Sequence, residues 1–157
     1  MTDYEILSNY DSNFLSQAYQ KIVPITYWSD FGNEGGSPGI IYFVSDGYGT
    51  KIGVNRDCNI ERRLSNLQLG NSKRIILIAF GFYSTYPHEY IGKTMQLVKW
   101  ESAFHRKFEE KKLHGEWFLL DDADIHALKN DKDFFLMVDL VKEGDRKRQR
   151  KNSLKTG

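Results

Sequence analysis

Cysteine is almost missing from this sequence. Cys58 is the only one in 157 residues, which excludes an internal disulfide and a zinc site built on cysteines. A reducing, cytoplasmic setting fits that usage. Long hydrophobic runs are missing too: no apolar stretch approaches the ~20 residues that a membrane span needs, so no membrane partner is expected. The opening residues, MTDYEILSNYDSNFLSQ, have neither a basic start nor an apolar stretch, so no secretory signal is expected. Several site motifs are also lacking. There is no Walker-type loop, no dinucleotide fingerprint and no Gly-x-Ser-x-Gly elbow. The segment HEYIG carries Gly92 where a His-Glu-x-x-His pair would need its second histidine. No internal repeat is visible.

What remains is the composition of a globular chain with one core: 40% hydrophobic, 27% charged and rich in aromatics at 14%. The net charge of +1 hides an asymmetry. From Lys142 to Gly157 seven Lys and Arg face only Glu143 and Asp145, a net of +5 against −4 for the rest. Residues 142–157 are therefore expected to form a basic, disordered tail. Such a tail either only solubilises the chain or holds polyanions by counterion release.

Before the tail, residues 1–38 read as an amino-terminal extension and 39–141 as the domain proper. In the extension, Phe14, Leu15, Tyr19 and Ile22 recur at helical spacing after Asp11 or Ser12 as cap. The stretch SDFGNEGGSPG reads as a loop. Ile40 to Val44, the turn SDGYGT and Lys51 to Val54 form a hairpin. Ile60, Leu64 and Leu67 make one helical stripe, opened by Asn59 and stopped by Gly70 and Asn71. Arg63 flanks that stripe, whereas Arg62 points almost opposite. RIILIAFGF reads as a buried central strand. A long helix is expected from about His88 to His114, with Leu97, Trp100, Phe104 and Phe108 on its apolar side. EWFLL reads as a short strand, Asp121, Asp122, Ala123 and Asp124 open a helix, and FFLMVDLV supplies its buried face. The whole predicts an α+β fold with a small three-stranded antiparallel sheet flanked by helices.

One charged residue falls on the greasy face of the long helix. Glu101 lies one turn from Leu97, Phe104 and His105 and two turns from Phe108. A carboxylate there needs a cation or a donor. Two readings stand: an ion pair with an arginine, or a hard divalent metal that takes carboxylate oxygen. His105, four residues on, either joins that site or is a core histidine bonded to backbone. Arg63 either neutralises a carboxylate, Glu101 included, or holds phosphate oxygens with its planar fork. Period-two alternation puts Tyr42 on the face of Ile40 and Val44, and Lys51 with Gly53 on one face of the next strand. A tyrosine in a hairpin is ordinarily packing.

In order along the chain, GIIYFV, KIG, a helix with ERRLSNLQLGN, an apolar strand, ESAFHRKF and LHGEWFLL resemble the GIY-YIG nuclease superfamily. The resemblance covers residues 39–120 and is closest to the bacteriophage-encoded branch, in which a Glu-x-x-x-His helix precedes Gly-Glu-Trp-Phe. It implies a DNA endonuclease that hydrolyses phosphodiester bonds with Mg²⁺ or Mn²⁺, acting in the cytoplasm, a host's included. By that resemblance Tyr42 and Lys51 activate water, Gly53 keeps the substrate's approach clear, Arg63 stabilises the phosphorane, and Glu101 binds the metal. Leu67 stands where relatives carry a histidine, so His105 would substitute for it. Arg62, Arg106 and Lys107 join Gly53 as DNA contacts. The familiar asparagine is replaced by GEWF, whose Trp117 and Phe118 are expected in the core. The alternative is a DNA-binding module of the same fold that is catalytically weak or inactive. A partner-binding protein using the aromatic surplus is a third class. A short chain around a compact domain implies low specificity or help from a second copy in a homodimer.

Overall fold

The computed structural model describes residues 1–23, 39–56, 59–83, 90–131 and 133–156. The expected Gly-rich loop before Gly39 and the first residues of the expected long helix lie outside them. Two short helices come first, α1 (Asp3–Leu7) and α2 (Ser12–Ile22), the second capped by the Asp11 side chain. Strands β1 (Gly39–Ser45) and β2 (Thr50–Asn55) form the expected hairpin. Its turn is set by Gly47 at φ 98° and by Asp46, whose carboxylate accepts from the Tyr48 and Gly49 N–H groups. Helix α3 (Ile60–Gln68) is capped by Asn59, which accepts from the Arg62 N–H. Beyond its end, Asn71 donates to the Leu67 carbonyl. Then follow β3 (Ile76–Tyr83), α4 (Tyr90–Lys107), β4 (Lys112–His114), β5 (Trp117–Phe118), α5 (Asp122–His126), β6 (Phe134–Leu136) and α6 (Met137–Thr156).

The sheet has six strands in the order β4-β5-β2-β1-β3-β6, every pair antiparallel, rather than the expected three. The three additional strands are two or three residues long, too short to carry an alternation pattern. Two of them come from segments read as helix. The long helix ends at Lys107, not His114, and Lys112–His114 turns back through Gly115, at φ 55°, to pair with β5. Likewise Phe134–Leu136 is an edge strand on β3, and helix starts only at Met137. The basic carboxy-terminal segment also differs from expectation in being helical: α6 continues to Thr156. Tyr10 donates to Asp145 at 2.5 Å, and the Arg148 guanidinium sits 4.3 Å from the Phe14 ring centre, which ties this helix to α2.

Register sorts the side chains onto two faces. Tyr42 pairs with Phe80 and Gly53, and Phe43 with Ala79 and Ile52. The Tyr42 face receives α2, where Tyr19 meets Phe80 edge-on, and α3. The Phe43 face receives α4: Phe104 meets Phe43 edge-on, and Trp100 and Phe134 close over Gly81, where a Cβ would lie 2.6 Å from the Trp100 ring. The expected apolar side of that helix is thus the one that docks, with Leu97 and Phe108 buried. Phe43 has no exposed surface, and truncating it to alanine leaves a cavity between sheet and helix. Phe43→Ala should cost about 3–5 kcal/mol of stability, read as a lower denaturant midpoint with unchanged slope.

Candidate active site

Tyr42 lies wholly buried on β1, with the far end of its ring over Gly53 on the neighbouring strand. A Cβ at Gly53 would stand 2.4 Å from the Tyr42 hydroxyl and 2.5 Å from the ring carbon that bears it. Only a residue without a side chain leaves room for the ring. The hydroxyl oxygen accepts a hydrogen bond from Arg63 Nε at 2.9 Å. Helix α3 sets that contact: Ile60 is buried and Leu64 packs on the core, which turns Arg63 inward and leaves Arg62 exposed. The terminal guanidinium nitrogens of Arg63 make no ion pair among the described residues.

The outer edge of β2 organises the second half of the site. Strand β5 pairs with β2 only at Thr50 and Lys51. Beyond them the edge groups find other partners. The Ile52 N–H donates to the Glu116 carbonyl at 3.1 Å. The Ile52 carbonyl accepts from His105 Nε2 at 3.0 Å, and the Val54 N–H donates to Glu101. A carbonyl only accepts, so His105 carries its hydrogen on Nε2 and leaves Nδ1 available. His105 is thus bonded to backbone, and it also stands beside Glu101.

Glu101 is half-buried, and its partner is not an arginine among the described residues. Arg63 belongs to the opposite face of the sheet. Burial pushes the Glu101 carboxyl above the usual carboxylate range, and the charge of Glu116 pushes it the same way; His105, Lys51 and the Val54 N–H pull it back. Lys51 is itself held by Glu116, Nζ to Oε2 at 2.5 Å, and its side chain is 13% exposed. Two carboxylates and one ammonium therefore share the β2 edge. That excess of oxygen ligands fits a hard divalent cation, which Glu101 would hold with Glu116 nearby.

Tyr42, Gly53 and Arg63 are thus brought together in one contact, and Lys51, Glu101 and His105 at the edge of the same strand. Arg62 and Arg106 are exposed. Lys107 is drawn elsewhere, its ammonium 5.5 Å and 5.8 Å from the ring centres of Phe108 and Phe104, on the face opposite Tyr42. Phe118 is in the core, as expected, and Trp117 is half-buried against it. Glu116 is the residue the sequence reading passed over. Its signal was its place in GEWF, but only the pairing of Trp117 with Lys51 brings it to the site.

Because the folded state holds the Glu101 proton more tightly than the unfolded chain does, this group subtracts stability as pH rises past its ordinary value of 4.5. In chelator, Glu101→Gln should melt close to wild type near pH 4 and above it at pH 7 to 8. A difference independent of pH would show that ionisation of Glu101 costs the fold nothing.

No curated protein and no solved structure matches the chain. A family model, that of the T5orf172 domain, matches residues 39–132 and so takes in β1, β2, α3, β3, α4 and the edge hairpin that carries Glu116. This chain belongs to the T5orf172 domain family.

Proposed function

We propose that the chain is a metal-dependent DNA endonuclease of the GIY-YIG type, hydrolysing phosphodiester bonds with Mg²⁺ or Mn²⁺. The T5orf172 family is related to GIY-YIG-like nucleases. The observation that carries the reading is the Arg63–Tyr42 bond over Gly53, made on the strand whose edge also receives Glu101 and His105. An arginine held by Nε keeps both terminal nitrogens in a fixed plane, suited to a phosphate whose oxygens gain charge in the transition state. Tyr42, having no exposed surface, acts as the positioning residue for Arg63. His105, with Nε2 committed to Ile52, has Nδ1 left to take a proton from the attacking water. Lys51, steadied by Glu116, adds a fixed positive charge at the same edge. A cation held by Glu101, with Glu116 as neighbour, would supply Lewis-acid stabilisation of the phosphate oxygens. On supercoiled plasmid with Mg²⁺ or Mn²⁺, Arg63→Ala and Glu101→Gln should each lose about 100-fold or more of nicking rate. Equal background cleavage by wild type and both variants sinks the enzyme reading.

A second reading rests on a separate observation. Helix α6 presents Arg150 and Lys151 to solvent in a basic carboxy-terminal segment, so the chain could bind DNA through phosphates without useful catalysis. In that case duplex binding followed by anisotropy falls steeply with salt and survives Glu101→Gln. Replacing Arg150 and Lys151 with glutamine should then flatten the log–log salt slope by about 2. An unchanged slope removes α6 from the interface.

A further inference from the structure

We propose that Asp3, Asp122 and His126 form a zinc site that clips the amino-terminal helix to α5. It lies outside the residues of the candidate active site, and its argument is independent of the nuclease reading. The three side chains can place one ligand atom each within 4.8 Å of one another. Asp122 and His126 are four residues apart on α5 and share a face, whereas Asp3 arrives from the other end of the chain.

Neither carboxylate is the cap of its own helix. Helix α1 is capped by Thr2, which accepts from the Glu5 N–H while the Glu5 carboxylate accepts from the Thr2 N–H. Helix α5 is capped in the same reciprocal way by Asp121 and Asp124. Asp3 and Asp122 follow these caps as the first residues of their helices. Asp3 nevertheless buries its side chain to 4% exposure. Among the described residues its carboxylate receives hydrogen bonds from His126 Nε2 alone, 3.1 Å from each oxygen. The Asp122 carboxylate is pressed against it, accepting from the Asp3 backbone N–H at 3.2 Å and 3.4 Å. Two carboxylates are thus set together with one side-chain donor among the described residues, the His126 imidazole. The nearby Lys142 is exposed and makes no hydrogen bond to either among the described residues. A buried carboxylate offers about four lone-pair sites, and the single donor at Asp3 leaves room for a further partner.

The ligand set selects the ion. One imidazole and two carboxylates suit Zn²⁺ better than Mg²⁺ or Ca²⁺, which take oxygen throughout. Tetrahedral zinc with bonds of roughly 2.0–2.2 Å keeps its ligand atoms about 3.3–3.6 Å apart, close to the His126–Asp3 spacing. His126 is 52% exposed, so a water can complete the shell. Coordination through Nε2 moves the imidazole hydrogen to Nδ1. The bound ion would close a loop that runs from Asp3 to Asp122 and so stabilise only the folded chain.

The test is calorimetric titration of the chelator-treated full chain with Zn²⁺, with melting followed in parallel. It is carried out in the Glu101→Gln background to remove the candidate active-site ligand. The expectation is one Zn²⁺ per chain and an upward Tm shift of about 5 °C, both lost in His126→Ala and Asp122→Asn. His126→Ala removes an exposed side chain; if it fails to fold, Asp122→Asn alone decides. The site is overturned if Zn²⁺ produces neither heat nor a shift, if the variants keep the stoichiometry, or if Mg²⁺ stabilises the chain equally well.

Discussion

Across the β1–β2 pair, the end of the Tyr42 ring occupies the volume that a side chain at Gly53 would need, and the arrangement of the candidate site follows from that contact. Tyr42 can lie flat over the second strand only if its register partner is glycine, and the register is held by the Asp46–Gly49 turn. A slip of one residue would bring Ile52 or Val54 under the ring and turn the side chains of the slipped strand to the opposite faces. With the ring so placed, its hydroxyl is buried with the rest of the side chain, and a buried hydroxyl requires a partner. Arg63 meets that requirement at 2.9 Å. The contact that buries the tyrosine therefore also aims the arginine.

The second organising feature is an interruption in the sheet. Because β5 stops pairing after Lys51, β2 shows two further residues' worth of backbone at an edge. Side chains from α4 satisfy it, His105 at Ile52 and Glu101 at Val54. Edge groups that would otherwise invite another strand are thereby capped by side chains of α4. The same docking half-buries Glu101 near Glu116 and leaves its carboxyl reluctant to ionise. Helices on opposite faces of the sheet thus contribute to one strand, α3 across its surface and α4 at its margin.

The family match spans residues 39–132, yet the folded unit is larger. Leu7 and Tyr19 from the amino-terminal helices are fully or nearly fully buried, as are Met137 and Val141 from α6. Tyr4 donates to the Arg74 carbonyl at 2.8 Å, and the Arg74 guanidinium donates to the Ser8 and Tyr10 carbonyls. These contacts cover the Tyr42 face of the sheet, so the flanking segments belong to the core that supports Arg63. No described helix is long and apolar enough to cross a membrane.

Local chemistry was legible wherever a segment's own residues set its form. The cap at Asn59, the helix starts at Asp11 or Ser12 and at Asp121 to Asp124, the hairpin and its faces, the central strand and the docking side of α4 were all readable from spacing and turn chemistry. So was the choice of Arg63 over Arg62, because a helical stripe fixes which side of α3 turns inward. Three things were decided by the tertiary fold. Strands of two or three residues have no pattern of their own and exist only because a neighbour offers hydrogen bonds, which is why β4, β5 and β6 were read as helix or not counted in the sheet. The basic carboxy-terminal segment is helical with Phe14 and Tyr10 beside it, contacts from more than a hundred residues away. Glu101 met a backbone N–H, Lys51 and His105 rather than an arginine, because which charges share an edge depends on strand pairing that no spacing along one helix can encode.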